Sequence, residues 1–177
     1  LILDQNKHHI PYASISTYAQ LNSIVLHAPS KSFNIAGLAC SVAVIANPKL
    51  RHAFKRSMEG IIPEITPFGY VAAVAAYRNG ETWLQALLDY LRGNRDYLIC
   101  QFAKLKGIDM LPLEATYLAW LNVSSLGLNQ PAKFFEEAGV GLSPGEIYGD
   151  ANFLRLNFAC PRNVLKEAMK RIRTALT

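Results

Sequence analysis

Two short apolar runs near the start of the chain indicate strands. Residues 23–26 and residues 38–46 are almost entirely apolar, and such short runs are typical of buried strands. Between them lies a single cation, Lys31, among small and hydroxyl residues. We therefore expect two core strands, with Lys31 at the exit of the first.

Three longer segments repeat apolar residues every three or four positions, which predicts helices. They are residues 48–58, 67–78 and 81–107. Asn47 offers a side-chain cap for the first helix. The second helix is rich in Ala and Val and carries only one charged residue, so we expect it to be largely buried.

The pattern changes in the last third of the chain. It predicts strands at residues 116–123, 140–143 and 153–159, a short helix at 130–138 and an amphipathic helix at 163–176. Strands joined through helices predict a small α/β sandwich. The fold class is therefore α/β, and we place a domain boundary within the long helix, dividing residues 1–95 from residues 96–177.

Composition excludes several classes of protein. Of the 177 residues, 51% are hydrophobic and 18% are charged, which is typical of a soluble globular protein. No apolar run reaches the length of a membrane span, so we expect no membrane partner. The net charge of +5 lies on helix faces without interleaved aromatic residues, so we expect no nucleic acid partner.

Cysteine and histidine positions favour neither a disulfide framework nor a metal site. The three cysteines, Cys40, Cys100 and Cys160, are far apart, which is typical of reduced thiols in a cytoplasmic protein. The histidine pair at residues 8–9 has no acidic or thiol residue at ligand spacing. We therefore predict no metal.

Lys31 is the first candidate for chemistry. A buried lysine loses the solvation of its ammonium form, which lowers its pKa and frees the amine to act as a nucleophile or a base. Such a lysine is suited to Schiff-base chemistry. The alternative is an ordinary loop lysine with its ammonium group in water, and position alone leaves both interpretations open.

Arg155 is the second candidate. In the predicted strand, Phe153, Arg155 and Asn157 share one face because side chains alternate along a strand. The planar guanidinium suits a carboxylate held by two parallel hydrogen bonds, which an amino-acid substrate offers. A structural ion pair or an exposed arginine at a sheet edge is the alternative.

Several segments carry a family resemblance, in the same order along the chain. Residues 30–38, Ser-Lys-Ser-Phe-Asn-Ile-Ala-Gly-Leu, resemble the cofactor-lysine segment of the fold-type I pyridoxal-phosphate enzymes of aminotransferase class I/II. Residues 142–145 followed by 153–157 resemble the C-terminal signature of the same enzymes. Residues 116–121 and 160–162 resemble the MalY/PatB branch, which contains cystathionine β-lyases and related carbon–sulfur lyases.

The resemblance implies roles for particular residues. Lys31 would hold pyridoxal 5'-phosphate as a Schiff base, Ser30 would contact its phosphate, and Arg155 would clamp the substrate α-carboxylate. Lys31 and Arg155 would then face one cleft. The implied reaction is β-elimination on a sulfur-containing amino acid, which yields a thiol, pyruvate and ammonia in a homodimeric enzyme.

The resemblance also implies where the chain lies within such an enzyme. Residues 1–95 would be the C-terminal part of the large cofactor-binding domain, and residues 96–177 the small C-terminal domain. In the family, the aspartate that pairs with the ring nitrogen, the stacking tyrosine and the first phosphate loop lie upstream of residue 1. We therefore expect the C-terminal part of an enzyme of about twice this length, inactive as a fragment.

Three positions depart from the family pattern. Asn122 stands where the branch usually has an aspartate, Ala39 where some members have a phosphate-binding arginine, and Ala28 where a serine is common. Ser30 is therefore the only phosphate contact that we predict.

The sequence leaves open which reaction is catalysed and whether the chain has any activity. An aminotransferase would use the same lysine and arginine, so these residues leave lyase and transferase open. A truncated remnant without activity, and an α/β protein without a cofactor, are the other interpretations.

Overall fold

The computed structural model describes all 177 residues, which form six α-helices and six strands. The chain divides into two compact units, and both contain helices and strands, in agreement with the predicted α/β class. Unit 1 comprises Leu1–Lys7 and Leu87–Thr177, and unit 2 comprises His8–Ala86. The domain boundary near residue 95 stays a prediction. None of the helices combines the length and the apolar character needed to cross a membrane.

Unit 2 contains three helices and a two-stranded antiparallel sheet. Its elements in chain order are α1 (Thr17–Leu21), β1 (Val25–His27), β2 (Val42–Val44), α2 (Pro48–Met58) and α3 (Pro67–Asn79). Val25 of β1 lies opposite Val44 of β2. The predicted helices at residues 48–58 and 67–78 are confirmed.

Side-chain caps fix where these two helices begin. The Asn47 side chain accepts hydrogen bonds from the backbone N–H groups of Lys49 and Leu50, at 2.9 and 3.3 Å. The Thr66 hydroxyl accepts one from Gly69 N–H at 3.2 Å. Each cap is followed by a proline in the first turn, where the missing N–H group has no helical partner to lose.

The prediction of two buried strands around Lys31 is wrong. β1 and β2 contain only three residues each, and five of the six are exposed. Residues 36–38 instead form a 3-10 turn, and Ala39 after it has a left-handed backbone with φ of 49°. The second strand therefore begins only at Val42.

The prediction that α3 is largely buried is also wrong. Phe68 is 78% exposed and Val71 is 69% exposed, and Tyr70, Val74 and Tyr77 are exposed as well. Alanine and valine content indicates a helix with apolar faces, but it does not reveal whether the chain supplies residues to cover them. In this chain, that side of α3 stays open to solvent.

Unit 1 is built on a four-stranded antiparallel sheet with strand order β3-β4-β6-β5. Its helices are α4 (Glu81–Phe102, which begins in unit 2), α5 (Pro131–Glu137) and α6 (Arg162–Ala175), and its strands are β3 (Asp109–Met110), β4 (Leu118–Asn122), β5 (Ser143–Pro144) and β6 (Phe153–Asn157). The strands predicted at residues 116–123 and 153–159 and the helices predicted at 130–138 and 163–176 are confirmed to within a few residues, whereas the strand predicted at 140–143 overlaps β5 only at Ser143. β3 was not predicted because it is only two residues long.

Alternation along β4 and β6 gives the sheet one buried face. Ala119, Leu121, Leu154 and Leu156 are at most 3% exposed. The other face carries half-buried residues, including Trp120 and Arg155. The sheet therefore presents Arg155 on the side away from the apolar core, which is the placement that the strand pattern predicts.

One buried polar side chain connects α4 to the segment after β6. Asn94 is fully buried, and its amide nitrogen donates to the carbonyl oxygens of Phe158 and Cys160, at 2.9 and 3.0 Å. Its side-chain oxygen accepts from Nε of Arg162 at 2.7 Å. These three hydrogen bonds tie the end of the Arg155 strand to the long helix.

Candidate active site

Lys31 lies in a turn that comes after β1. Phe33 N–H donates to the Pro29 carbonyl at 2.9 Å, and Ile35 N–H donates to the Ser30 carbonyl at 3.0 Å, so Lys31 lies within two overlapping turns. Asn34 takes a left-handed backbone with φ of 55°. The turn, rather than a strand end, therefore determines where Lys31 lies.

An aromatic side chain anchors this turn within unit 2. The Phe33 ring stacks on Trp83, with ring centroids 6.1 Å apart, and meets Tyr77 edge to face at 6.0 Å. Such pairs contribute about 0.5 to 1.5 kcal/mol each beyond the area that they bury. Phe33 thus holds the segment that carries Lys31 against α3 and the start of α4.

The Lys31 side chain is exposed, so the burial considered from the sequence is not observed. Lys31 belongs to none of the four salt bridges of the chain. Its neighbours Ser30 and Ser32 are half-buried hydroxyl residues. The Lys31 amine is thus free of ionic partners, and the adjacent serines carry hydroxyl groups, whereas Ala28 and Ala39 supply no side-chain donor.

Arg155 lies at the centre of β6, between two neighbouring strands. Trp120 of β4 and Ser143 of β5 are its direct cross-strand partners. Directly opposite residues have side chains close enough to contact each other. The sheet register therefore surrounds Arg155 with an aromatic ring and a hydroxyl.

The guanidinium of Arg155 has few partners within the chain. Its Nη2 donates to Ser143 Oγ at 3.2 Å, and its Cζ lies 4.7 Å from the centre of the Tyr148 ring. Nε is shielded from solvent and has no acceptor. Arg155 belongs to none of the salt bridges, so the ion-pair alternative is not observed. A half-buried cation without an anion fits a carboxylate ligand.

Aromatic rings extend from Arg155 across this face of the sheet. Trp120 stacks on Phe153 with centroids 5.3 Å apart and meets Tyr148 edge to face at 5.8 Å. The contacts of Ser143 and Tyr148 with Arg155 were not predicted. Ser143 lies in a predicted strand, so a correct pairing of the predicted strands would have revealed its contact with Arg155. The contact of Tyr148 with Arg155 depends on the path of a turn.

A tight 3-10 turn, Gly145–Tyr148, presents Tyr148 to Arg155. It ends at Gly149, whose φ of 101° lies in the left-handed region that favours glycine. At Gly145, a Cβ atom would collide with the carbonyl oxygens of Asp150 and Phe153. Both ends of the turn therefore require glycine.

Burial raises the pKa of the Cys160 thiol above its ordinary value of 9.0. Because the raised pKa keeps the thiol protonated near neutral pH, Cys160 is poorly suited to act as a nucleophile.

On α6, the hydrogen bond from Arg171 lowers the pKa of the exposed Glu167 carboxyl.

The structure brings Ser30 and Lys31 together in one turn of unit 2, whereas Arg155 lies in unit 1. A shared cleft for Lys31 and Arg155 stays a prediction, as do the roles of all three residues.

The family model for aminotransferase class I and II matches residues 5–172. The chain therefore belongs to the aminotransferase class I and II family, and the resemblance found in its sequence is confirmed.

Individual relatives support the same branch. Cystathionine beta-lyase PatB of Bacillus subtilis (strain 168) is 34% identical over 179 residues, which cover 96% of this chain and 46% of PatB. The crystal structure of OvoB is 50% identical in sequence, with a TM-score of 0.98. The match covers 100% of this chain and 47% of the OvoB chain.

A pyridoxal-phosphate-bound putative aminotransferase from Clostridium difficile 630 is 36% identical, with a TM-score of 0.94. The match covers 99% of this chain and 47% of that one. These similarities confirm the α/β fold of the family. The chain spans about half the length of the proteins that it matches.

Proposed function

We propose that this chain carries the cofactor lysine and the substrate-binding arginine of a pyridoxal-phosphate-dependent C–S β-lyase. The substrate is a sulfur-containing amino acid, and the products are a thiol, pyruvate and ammonia. The observation that carries the proposal is the Arg155 guanidinium, which is half-buried on a sheet face and has no acidic partner. Similarity to cystathionine beta-lyase PatB supports the lyase reaction.

Each site residue has one task in this proposal. Arg155 binds the substrate α-carboxylate and thereby orients the bond between Cα and its proton. Lys31 would hold the cofactor through Nζ, and its free amine would remove the proton from Cα. Ser30 contacts the cofactor phosphate. When bound, pyridoxal phosphate supplies the electron sink for the negative charge left on Cα.

The complete activity requires residues beyond these 177. PatB is about twice as long as the region that matches this chain. We propose that the carboxylate paired with the cofactor ring nitrogen comes from outside the 177 residues, and that the fragment alone is inactive. The intact enzyme is a cytoplasmic homodimer in this proposal.

An aminotransferase is the second candidate. The similarity to a putative aminotransferase from Clostridium difficile supports it, and the family includes aminotransferases. Both reactions begin with loss of the Cα proton to the same lysine. The two reactions differ afterwards, because a lyase breaks the bond between Cβ and sulfur whereas a transferase passes the amino group on to a keto acid.

A product assay on the intact protein distinguishes these reactions. With cystathionine, added pyridoxal phosphate and no keto acid, we expect pyruvate and ammonia in equal amounts. Because Lys31 moves the proton, Lys31→Ala should lower the rate by about a hundredfold to ten-thousandfold. Lys49→Ala, at an exposed lysine on α2, should leave the rate unchanged.

Two results would contradict the lyase proposal. Absence of pyruvate in this assay, together with glutamate formation in a parallel assay with added 2-oxoglutarate, would identify an aminotransferase. Equal rates for Lys31→Ala and the unchanged protein would exclude Lys31 from the reaction.

A further inference from the structure

We infer that Tyr148 is a positioning residue, which fixes the guanidinium of Arg155 in the orientation that a carboxylate requires. The inference rests on the proposed role of Arg155 and adds a second residue to that site. Three observations in unit 1 support it: the position of the Tyr148 ring, the hydrogen bonds of Arg155 and the aromatic contacts that hold Tyr148.

The Tyr148 ring lies against the guanidinium. The distance of 4.7 Å from Arg155 Cζ to the ring centre is within the range of about 6 Å in which an aromatic face attracts a cation. An aromatic ring can cover a guanidinium without using any of its N–H donors. Tyr148 therefore restrains Arg155 and leaves its hydrogen-bonding capacity for a ligand.

The remaining contacts of Arg155 show which donors are available. Ser143 accepts a hydrogen bond from Nη2, and Nε is shielded from solvent. Nη1 has no hydrogen-bond partner in the chain and is not among the shielded atoms. A carboxylate therefore approaches the end of the guanidinium formed by Nη1 and Nη2.

Tyr148 is itself held by its ring. Trp120 meets the Tyr148 ring edge to face, and Trp120 is in turn stacked on Phe153. The Tyr148 hydroxyl makes no hydrogen bond with the chain, whereas Tyr90, for example, accepts one from Arg162 N–H. The positioning effect therefore resides in the ring, so we expect a phenylalanine at this position to position Arg155 equally well.

Fixing Arg155 before the ligand arrives strengthens binding. A long side chain that is ordered only on binding loses rotamer entropy at that step. The Tyr148 ring removes part of this loss in advance. Its removal should weaken binding of a carboxylate without changing the chemistry of Lys31.

The test uses the 177-residue chain labelled with ¹⁵N-arginine, with L-alanine as the carboxylate probe and ethylamine as the probe without a carboxylate. The Arg155 Nε–H resonance reports both ligand binding and exchange with solvent. L-Alanine should shift this resonance, and ethylamine should not. Tyr148→Ala should raise the apparent Kd for L-alanine about two- to thirtyfold and speed Nε–H exchange, while Tyr148→Phe should change neither.

Tyr97→Ala is the matched control. Tyr97 lies against Arg162 at 4.9 Å, in the same kind of contact, and makes none of the contacts described for Arg155. This variant should leave the Kd for L-alanine unchanged. Circular dichroism checks that each variant is folded. If Tyr148→Ala unfolds, Tyr148→Phe still tests the inference, because a loss of L-alanine binding in Tyr148→Phe would overturn the role of the ring.

Unchanged binding and exchange in a folded Tyr148→Ala variant would also overturn the inference. The exchange rate needs neither ligand nor turnover, so it tests Tyr148 even if the lyase reaction fails. In the intact enzyme, Tyr148→Ala should raise KM for the amino acid and leave kcat within about twofold. Pyruvate formation with an unchanged KM would overturn the role of Tyr148 and leave the proposed lyase function standing.

Discussion

At the scale of single residues, the pairing of β6 with β4 and β5 places Arg155 between Trp120 and Ser143. Alternation along residues 153–157 predicts Arg155 beside Phe153 and Asn157, and the structure confirms this placement. The sequence could not predict that Tyr148 contacts the guanidinium, because that contact depends on the path of a turn. Nor could it predict that Lys31 is exposed, since exposure depends on what covers a segment.

Asn94 gives a prediction about stability. Asn94→Ala removes the partners of two buried carbonyl oxygens and of Arg162 Nε. Unsatisfied buried polar groups are costly, so we expect the free energy of unfolding to fall by about 2 to 4 kcal/mol. Urea denaturation followed by circular dichroism measures the change.

Asn152→Ala is the control for Asn94→Ala, because the Asn152 side chain is exposed. We expect it to change the free energy of unfolding by less than about 0.5 kcal/mol. Similar values for the two variants would show that the buried hydrogen bonds of Asn94 do not stabilise the fold.

At the scale of elements, the sequence predicted helices better than short strands. Capping residues and prolines mark helix starts locally, so α2 and α3 begin where predicted. β1 and β2 were predicted too long because an apolar run does not reveal a turn such as the one at residues 36–38. β3 has only two residues and leaves no pattern in the sequence.

The 3-10 turn Gly145–Tyr148 gives a prediction at this scale. Gly145→Ala places a Cβ atom against the carbonyl oxygens of Asp150 and Phe153, so the turn must shift and carry Tyr148 with it. We expect a loss of about 1 to 3 kcal/mol in the free energy of unfolding and weaker binding of L-alanine. Denaturation and the arginine NMR titration measure the two effects.

Gly141→Ala is the matched control for the turn. A Cβ atom at Gly141 has no neighbour within 4 Å, so this variant should change neither stability nor L-alanine binding appreciably. If Gly145→Ala behaved like Gly141→Ala in both measurements, the close packing of the turn would not matter for Arg155.

At the scale of the whole molecule, the chain combines two units that carry different parts of the candidate site. The turn with Lys31, our candidate for the cofactor lysine, lies in unit 2, and Arg155, our candidate for carboxylate binding, lies in unit 1. The sequence indicated both the Lys31 segment and the Arg155 strand, because each is recognised by a short local motif. The exposed apolar side of α3 could not be predicted, since it depends on residues distant in the sequence.

The relatives that the chain matches are about twice as long as the chain. The matching region is 46% of PatB and 47% of OvoB. Residues outside this region complete the cofactor site in our proposal, so every assay of turnover uses the intact protein. The contacts of Arg155 on which the proposed carboxylate binding depends, in contrast, lie within unit 1.

Borohydride trapping tests most directly whether Lys31 holds the cofactor. The intact protein is incubated with pyridoxal phosphate, reduced with borohydride, digested and analysed by mass spectrometry. We predict a phosphopyridoxyl group on the peptide that contains Lys31, absent in Lys31→Ala and retained in Lys49→Ala. A phosphopyridoxyl group on another lysine of the unchanged protein, or on none, would contradict the account.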